Sequence, residues 1–188
     1  AQTHRVTLVS FVRGDDRSEY TDHLAEFCAE VHTVPMQRSR LRDLRALLIA
    51  AFTGRSAIIV RDEIPAMHTK LRDLVATHTF HAIHADQASM AQYALYAQNL
   101  NLPTFQPSNL PIILDAHNAL FHIPQRLAQH EPNPLKRWAL RREARALARY
   151  EAQTYPQFDH VVFVSAEDRA AIEEQMGKWA NGQINESE

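Results

Sequence analysis

Short apolar runs alternate with longer segments of helical periodicity along the chain. The first run, VTLVSFV at 6–12, is β-branched and apolar on both faces, which is typical of a strand buried within a parallel sheet. Segments with apolar residues three and four positions apart follow the runs and predict helices. The predicted strands are 6–12, 31–35, 57–60, 80–86, 111–115 and 160–165, and the predicted helices are 18–31, 39–52, 64–77, 87–100, 134–154 and 166–176.

This alternation predicts an α/β fold. A Rossmann-like, doubly wound arrangement, with a mainly parallel sheet and helices on both faces, is the architecture that such alternation favours. In open sheets of this kind, ligands bind outside the carboxyl ends of the strands. Residues 1–176 are interpreted as one domain. Residues 177–188 are polar and hold two of the four glycines, which predicts a linker or a disordered tail.

Composition excludes few classes of function. The net charge of −2 argues against a general nucleic-acid binder. The single cysteine, Cys28, rules out an intrachain disulfide and favours a cytosolic location. The histidines form neither an HExxH nor an HxH pattern, so no metal site is expected. The chain also has no G-x-S-x-G elbow and no glycine-rich phosphate loop.

Polar side chains follow the predicted strand at 111–115. Asp115, His117 and Asn118 come directly after its apolar residues, at the edge where ligands bind. We expect Asp115 to orient the His117 ring and Asn118 to adopt a positive φ in a tight turn. A structural histidine is the alternative interpretation of His117. Other strand ends supply Arg13, Asp86 and Ser165.

The same residues have a second interpretation as helix caps. Asp86 and Ser165 each stand just before a predicted helix, where a side-chain oxygen accepts backbone N–H groups. Capping does not preclude a contact with a ligand.

The helix predicted at 134–154 is strongly basic. Arginines at 137, 141, 145 and 149 recur every four residues and so share one face. One interpretation is a solvated face. The other is contact with an anionic membrane surface or a phosphorylated lipid, and its candidate residues are Lys136, Arg137, Arg141 and Arg145.

Three segments together resemble the amino-terminal domain of retaining glycosyltransferases with two Rossmann domains (the GT-B type), and among these family 4, the "group 1" enzymes. The resemblance covers about residues 4–175. Its pattern is a strand ending in D-x-H-N, an arginine-rich helix leading to R-Y-E, and a strand ending in V-S-x-x-D-R. The matching residues are Asp115, His117 and Asn118, then Arg149, Tyr150 and Glu151, and finally Ser165, Asp168 and Arg169.

The resemblance implies transfer of a sugar from a nucleotide-sugar donor to a glycan or lipid-linked acceptor, with retention at the anomeric carbon. Enzymes of this family bind the acceptor mainly with the amino-terminal domain. His117 would donate a hydrogen bond to the transferring sugar, Asp115 and Asn118 would support it, and Ser165 is a weaker candidate for lining the cleft. The nucleotide-sugar is a co-substrate, and neither a metal nor another cofactor is expected.

The sequence also departs from the family pattern. It begins at what resembles the second strand, without the first strand, glycine-rich loop and helix, and it has no carboxy-terminal Rossmann domain with an E-x7-E motif. Residues 1–176 are therefore expected to form a partial amino-terminal domain that is inactive alone, with no catalytic residue assigned. The expected location is cytoplasmic, peripheral to the inner membrane face. The alternatives are another GT-B sugar-nucleotide enzyme, such as an epimerase, and a non-catalytic α/β binding domain.

Overall fold

A computed structural model describes residues 4–14, 16, 18–37, 39–100 and 110–181. The strands are β1 (Thr7–Val12), β2 (Glu30–Pro35), β3 (Ile83–Asp86), β4 (Ile112–Asp115) and β5 (His160–Val162). The helices are α1 (Ser18–Ala25), α2 (Arg40–Thr53), α3 (Ala57–Arg61), α4 (Pro65–Thr77), α5 (Ala91–Gln98), α6 (His122–His130), α7 (Pro134–Thr154) and α8 (Ala166–Ala180). Short 3₁₀ turns lie at Ala88–Met90 and Tyr155–Gln157.

All strand pairs among the described residues are parallel, and they form two sheets. β1 pairs with β2, while β4 lies between β3 and β5. The chain is thus an α/β protein with parallel sheets and helices, consistent with the predicted Rossmann-like fold. Within the described part of the chain, the terminal strands of the two sheets, β1, β2, β3 and β5, each keep one edge that pairs with no strand.

The two faces of the three-stranded sheet are buried to different extents. On the more buried face, Ile112 and Leu114 of β4 are fully buried and belong to one core cluster with Leu147 of α7 and Ile172 of α8. The opposite face carries Val162, which is half exposed. Side chains alternate between faces along a strand, so the more buried face fixes which positions of each strand enter the core. The second core cluster joins β1 and β2 to α4 and α5, and it contains Val34, Ile64, Met67 and Tyr93.

The strand predicted at 57–60 is wrong, because these residues form helix α3. Ser56 caps the helix by accepting the N–H of Ile59 at 3.3 Å. Glu143 of α7 accepts the N–H groups of Ala57 and Ile58, at 2.9 and 3.1 Å. A four-residue apolar run fits a buried strand and a buried helix equally well. The distant carboxylate, which satisfies the first N–H groups of the helix, stabilises the helical form.

Several predicted boundaries also differ from the structure. β3 begins at Ile83 rather than at 80, and α1 ends at Ala25 rather than at 31. Helix α6 was not predicted. Helix α8 continues to Ala180, past the predicted domain boundary at 176, and 182–188 lie outside the described residues. None of the described helices has the combination of length and apolar character that crossing a membrane requires.

Candidate functional site

The candidate site lies at the carboxyl ends of β3 and β4. Asp86 ends β3 and Asp115 ends β4, and the two residues are partners in the parallel register. His117 follows two residues later, and its Nε2 lies 2.6 Å from Asp86 Oδ1. The His117 side chain is 48% exposed, so the group is open to a ligand from solvent. The structure therefore brings together three of the six predicted site residues.

Asp86, rather than Asp115, makes the hydrogen bond that orients the His117 ring. Asp115 Oδ1 lies 4.0 Å from His117 Nε2, which is too long for a hydrogen bond. The same Asp115 oxygen is buried and accepts no hydrogen bond from the described residues. The expectation that Asp115 orients the ring was wrong. Asp115 is the nearer residue in sequence, but the parallel register of β3 and β4 places Asp86 within hydrogen-bond distance of His117.

Asp86, Asp115 and His117 offer ligand atoms that all lie within 4.8 Å of one another. Two carboxylate oxygens and an imidazole nitrogen can hold a divalent cation, or they can bind the hydroxyl groups of a sugar. Exposed acidic groups at such spacing are common in proteins that bind no ion. The expectation that this chain uses no metal stays a prediction.

The backbone strain in this region lies at Gln87 and not at Asn118. Gln87 has φ 80° and ψ 153°, and it is the one described non-glycine residue with a positive φ. This conformation is essentially restricted to glycine and costs about 1–3 kcal/mol. The Gln87 N–H donates to the Asp115 carbonyl at 2.9 Å, which ties the strained residue to the end of β4. Asn118 is exposed, and the prediction of its positive φ was wrong.

Two carboxylates from distant segments hold the loop that follows His117. Asp168 Oδ1 accepts the N–H of Ala119 at 3.0 Å. Glu151 accepts the N–H of Leu120 at 2.7 Å through Oε1 and the N–H of Phe121 at 3.0 Å through Oε2. We call residues 119–121, together with Asp168 and Glu151, the loop clamp. It joins the segments that carry the D-x-H-N, R-Y-E and V-S-x-x-D-R patterns.

Ser165 positions the Asp168 carboxylate of the loop clamp. The Ser165 Oγ accepts the Asp168 N–H at 3.0 Å and donates to Asp168 Oδ2 at 2.6 Å. This is the predicted capping of the helix after β5. The hydrogen bonds from the Ala119 N–H and the Ser165 hydroxyl lower the pKa of Asp168 below its usual value. Ser165 therefore acts on the site through Asp168.

Glu151 is the buried member of the loop clamp. Its side chain is fully buried, and it accepts a third hydrogen bond, at 2.9 Å, from the Tyr155 hydroxyl. Burial outweighs these hydrogen bonds and raises the pKa of Glu151 to about 7. The signal was present in the sequence, because Leu147 and Glu151 are four residues apart on the apolar face of α7, and Tyr155, four residues further, directly follows the helix.

The raised pKa predicts that stability falls as pH rises through neutrality. The folded chain holds a proton on Glu151 up to about pH 7, whereas the unfolded chain releases it near 4.5. This contribution to the free energy of unfolding is therefore complete below about pH 4.5 and is lost as the pH rises to about 7. The total loss is about 3 kcal/mol. Urea unfolding at a series of pH values measures this loss in the wild-type chain. Glu151→Gln should show a flatter profile, and identical profiles would contradict the prediction.

Tyr150 links α7 to the loop that follows β3. Its hydroxyl donates to the Ala88 carbonyl at 3.1 Å, two residues after Asp86. Burial raises the pKa of this hydroxyl above its ordinary value, so it stays a donor at neutral pH. Helix α7 thus supports the loops after both strands of the site, through Tyr150 and Glu151.

Two other sequence predictions have different outcomes. Arg13 follows β1 in the other sheet, and its backbone N–H donates to Asp16 Oδ2 at 2.7 Å. No hydrogen bond or ion pair within the described residues connects Arg13 to His117. The capping interpretation of Asp86 is wrong, because the helical turn that follows it has no side-chain cap and Asp86 instead bonds to His117.

Comparisons with known proteins gave no relatives. A scan against protein-family models, a search of curated proteins and a search of solved structures each found no match to this chain.

Proposed function

We propose that this chain is the acceptor-side domain of a retaining glycosyltransferase of the GT-B type. The observation that carries the proposal is the loop clamp. The three segments on which the family resemblance rests are far apart in sequence, and they meet at one loop beside His117. If each segment had only a local structural role, such as capping a helix or burying a carboxylate, the three would not need to meet. Positioning the His117 loop is a role that all three segments share.

The arrangement around His117 suits recognition of a sugar. With Nε2 donating to Asp86, Nδ1 of the neutral ring accepts a hydrogen bond from a sugar hydroxyl. In the protonated ring both nitrogens donate, so Nδ1 then donates to the sugar, as the resemblance implies. The exposed Asp86 carboxylate offers a further acceptor for a second hydroxyl.

The strand order gives further support. In the doubly wound order 3-2-1-4-5-6, removal of strand 1 leaves one pair, 3-2, and one triplet, 4-5-6. The observed sheets, β2-β1 and β3-β4-β5, have this arrangement when the chain is aligned from the second strand. A central strand supplied from outside the described residues would pair with the open edges of β1 and β3. This fits a partial amino-terminal domain, which is expected to be inactive without a donor-binding domain.

The partners follow from the same proposal. They are a nucleotide-sugar donor, a glycan or lipid-linked acceptor and a carboxy-terminal Rossmann domain, in a cytoplasmic protein. Membrane contact through α7 stays a candidate, since Lys136, Arg141 and Arg145 are exposed. An epimerase of the same architecture and a non-catalytic binding domain are the rivals.

The test is a transfer assay on the longest natural polypeptide that contains these residues. Radiolabelled UDP-glucose, UDP-galactose, UDP-N-acetylglucosamine and GDP-mannose are each supplied with glycans or membrane lipid extract. We expect labelled acceptor whose new bond keeps the anomeric configuration of the donor. An isomerised nucleotide-sugar would indicate the epimerase instead. No conversion of any of the four donors would overturn the proposal. Turnover by the 188-residue chain alone would overturn the prediction that this chain is inactive by itself.

A further inference from the structure

Helix α2 presents an apolar stripe to solvent. Leu41 is 78% exposed, Phe52 is 88% exposed, and Leu44 and Leu48 between them are more than half exposed. Their spacing places these four side chains on one face of the helix, with Leu47 beside them. Four large apolar residues on one exposed helical face form a patch of the kind that marks a binding surface.

The exposed face of α2 is also basic. Arg40 and Arg45 are exposed beside the apolar stripe. The single acidic residue of the helix, Asp43, is half buried on the other side. A helix with an apolar stripe flanked by arginines is typical of segments that lie in the surface of an anionic membrane. Packing against an apolar protein surface would instead desolvate the arginines without partners.

A basic cavity opens where α2 ends. It has a volume of about 510 Å³, a size typical of small-ligand sites, and lies between the end of α2 and helix α7. Arg55 and Arg149 line it together with Ser56 and Tyr150, and the described residues that line it include no acidic one. Arg55 pairs with Glu63 through Nη2 at 2.8 Å, and its other guanidinium N–H groups can serve a second acceptor.

We propose that α2 lies in the surface of an anionic membrane, and that Arg55 and Arg149 bind the phosphate of a phosphorylated lipid in the adjoining cavity. Phe52 and Thr53 are consecutive, so the apolar stripe ends at the rim of the cavity. An amphiphile can therefore place its chains along the stripe while its phosphate reaches the arginines. For the proposed transfer, this surface favours a lipid-linked acceptor over a soluble glycan. Only the lipid's role as acceptor rests on the proposed function; the binding of the membrane does not.

The surface can be tested by co-sedimentation of the 188-residue chain with vesicles. The vesicles are phosphatidylcholine alone and phosphatidylcholine mixed with phosphatidate. We expect binding to the mixed vesicles, weakened at least about tenfold by the double change Leu48→Gln and Phe52→Gln, which removes two inserted side chains. Arg55→Gln should weaken binding about fivefold. All three residues are substantially exposed, so unchanged thermal unfolding is expected for each variant.

Matched variants on α7 separate this surface from the basic helix. Leu135→Gln with Trp138→Gln alters two exposed apolar residues, and Arg141→Gln removes an exposed charge. Helix α7 is the rival membrane-contact surface, and if α2 is the surface that binds, these variants should bind the mixed vesicles like the wild type. Loss of binding in the α7 variants with retention in the α2 variants would overturn the proposal, and so would equal sedimentation with both kinds of vesicle.

A soluble probe distinguishes the two sources of phosphate. Glucose 1-phosphate is titrated into the chain by calorimetry, with Arg55→Gln as the comparison. Binding of this probe without binding to phosphatidate vesicles would indicate a site for a free phosphate ester, and would overturn the membrane proposal. The transferase proposal would survive that outcome, since transfer to a soluble glycan needs no vesicle. Vesicle binding by a natural polypeptide that shows no transfer activity would support the membrane proposal and overturn the transferase proposal.

Discussion

Replacement of Glu151 with alanine is expected to lower the free energy of unfolding by at least about 3 kcal/mol, because three donors lose their acceptor and each such loss costs about 1–3 kcal/mol. Glu151 accepts the N–H groups of Leu120 and Phe121 and the hydroxyl of Tyr155. The side chain is fully buried, so these donors have no contact with solvent through it in the wild-type chain. Chemical denaturation of the wild-type and variant chains measures the loss.

The control variant for this prediction is Glu167→Ala. Glu167 is exposed in the first turn of α8, and its loss should change the unfolding free energy by no more than about 0.5 kcal/mol. Hydrogen exchange gives a local readout, because Glu151→Ala should accelerate exchange of the Leu120 and Phe121 amides. Equal stabilities for the two variants, with unchanged exchange at these amides, would show that the loop clamp does not hold the loop.

Replacement of His117 with alanine is expected to reduce sugar transfer about 100-fold or more, the usual loss when one hydrogen-bonding group that stabilises a transition state is removed. Because the side chain is half exposed and hydrogen-bonds, among the described residues, only to Asp86, the fold should not change. The measurement is kcat/KM for transfer by the natural polypeptide, compared with its thermal unfolding. Asp86→Asn should give a smaller loss, since it leaves the ring in place but weakens its orientation.

His130→Ala is the matched histidine control. His130 is exposed at the end of α6, in the helix that follows the site loop, and its replacement should leave transfer unchanged. If His117→Ala and His130→Ala both transfer sugar like the wild type, His117 has a structural role only. If both variants fold normally and both lose transfer, the loss is not specific to His117 and would instead indicate a general role of the loop and α6.

The sequence by itself determined the class of fold and the place of the candidate site. The strand at 111–115 could be recognised because a buried parallel strand is a short apolar run, and this property is local. The polar residues after it had to lie at the carboxyl edge of a sheet. For the same reason Ser165 was recognisable as a cap, since its partner, Asp168, is three residues away.

Only the tertiary structure decided which groups meet at that edge. The Asp86–His117 bond joins residues 31 positions apart, and Glu143 reaches 86 positions back to the N–H of Ala57 and selects helix over strand at 57–60. The burial of Glu151 and the separation into two sheets also depend on packing among distant segments. Periodicity and capping report interactions within a few residues of chain. Contacts between distant segments depend on the spatial arrangement of whole elements, so no local pattern specifies them.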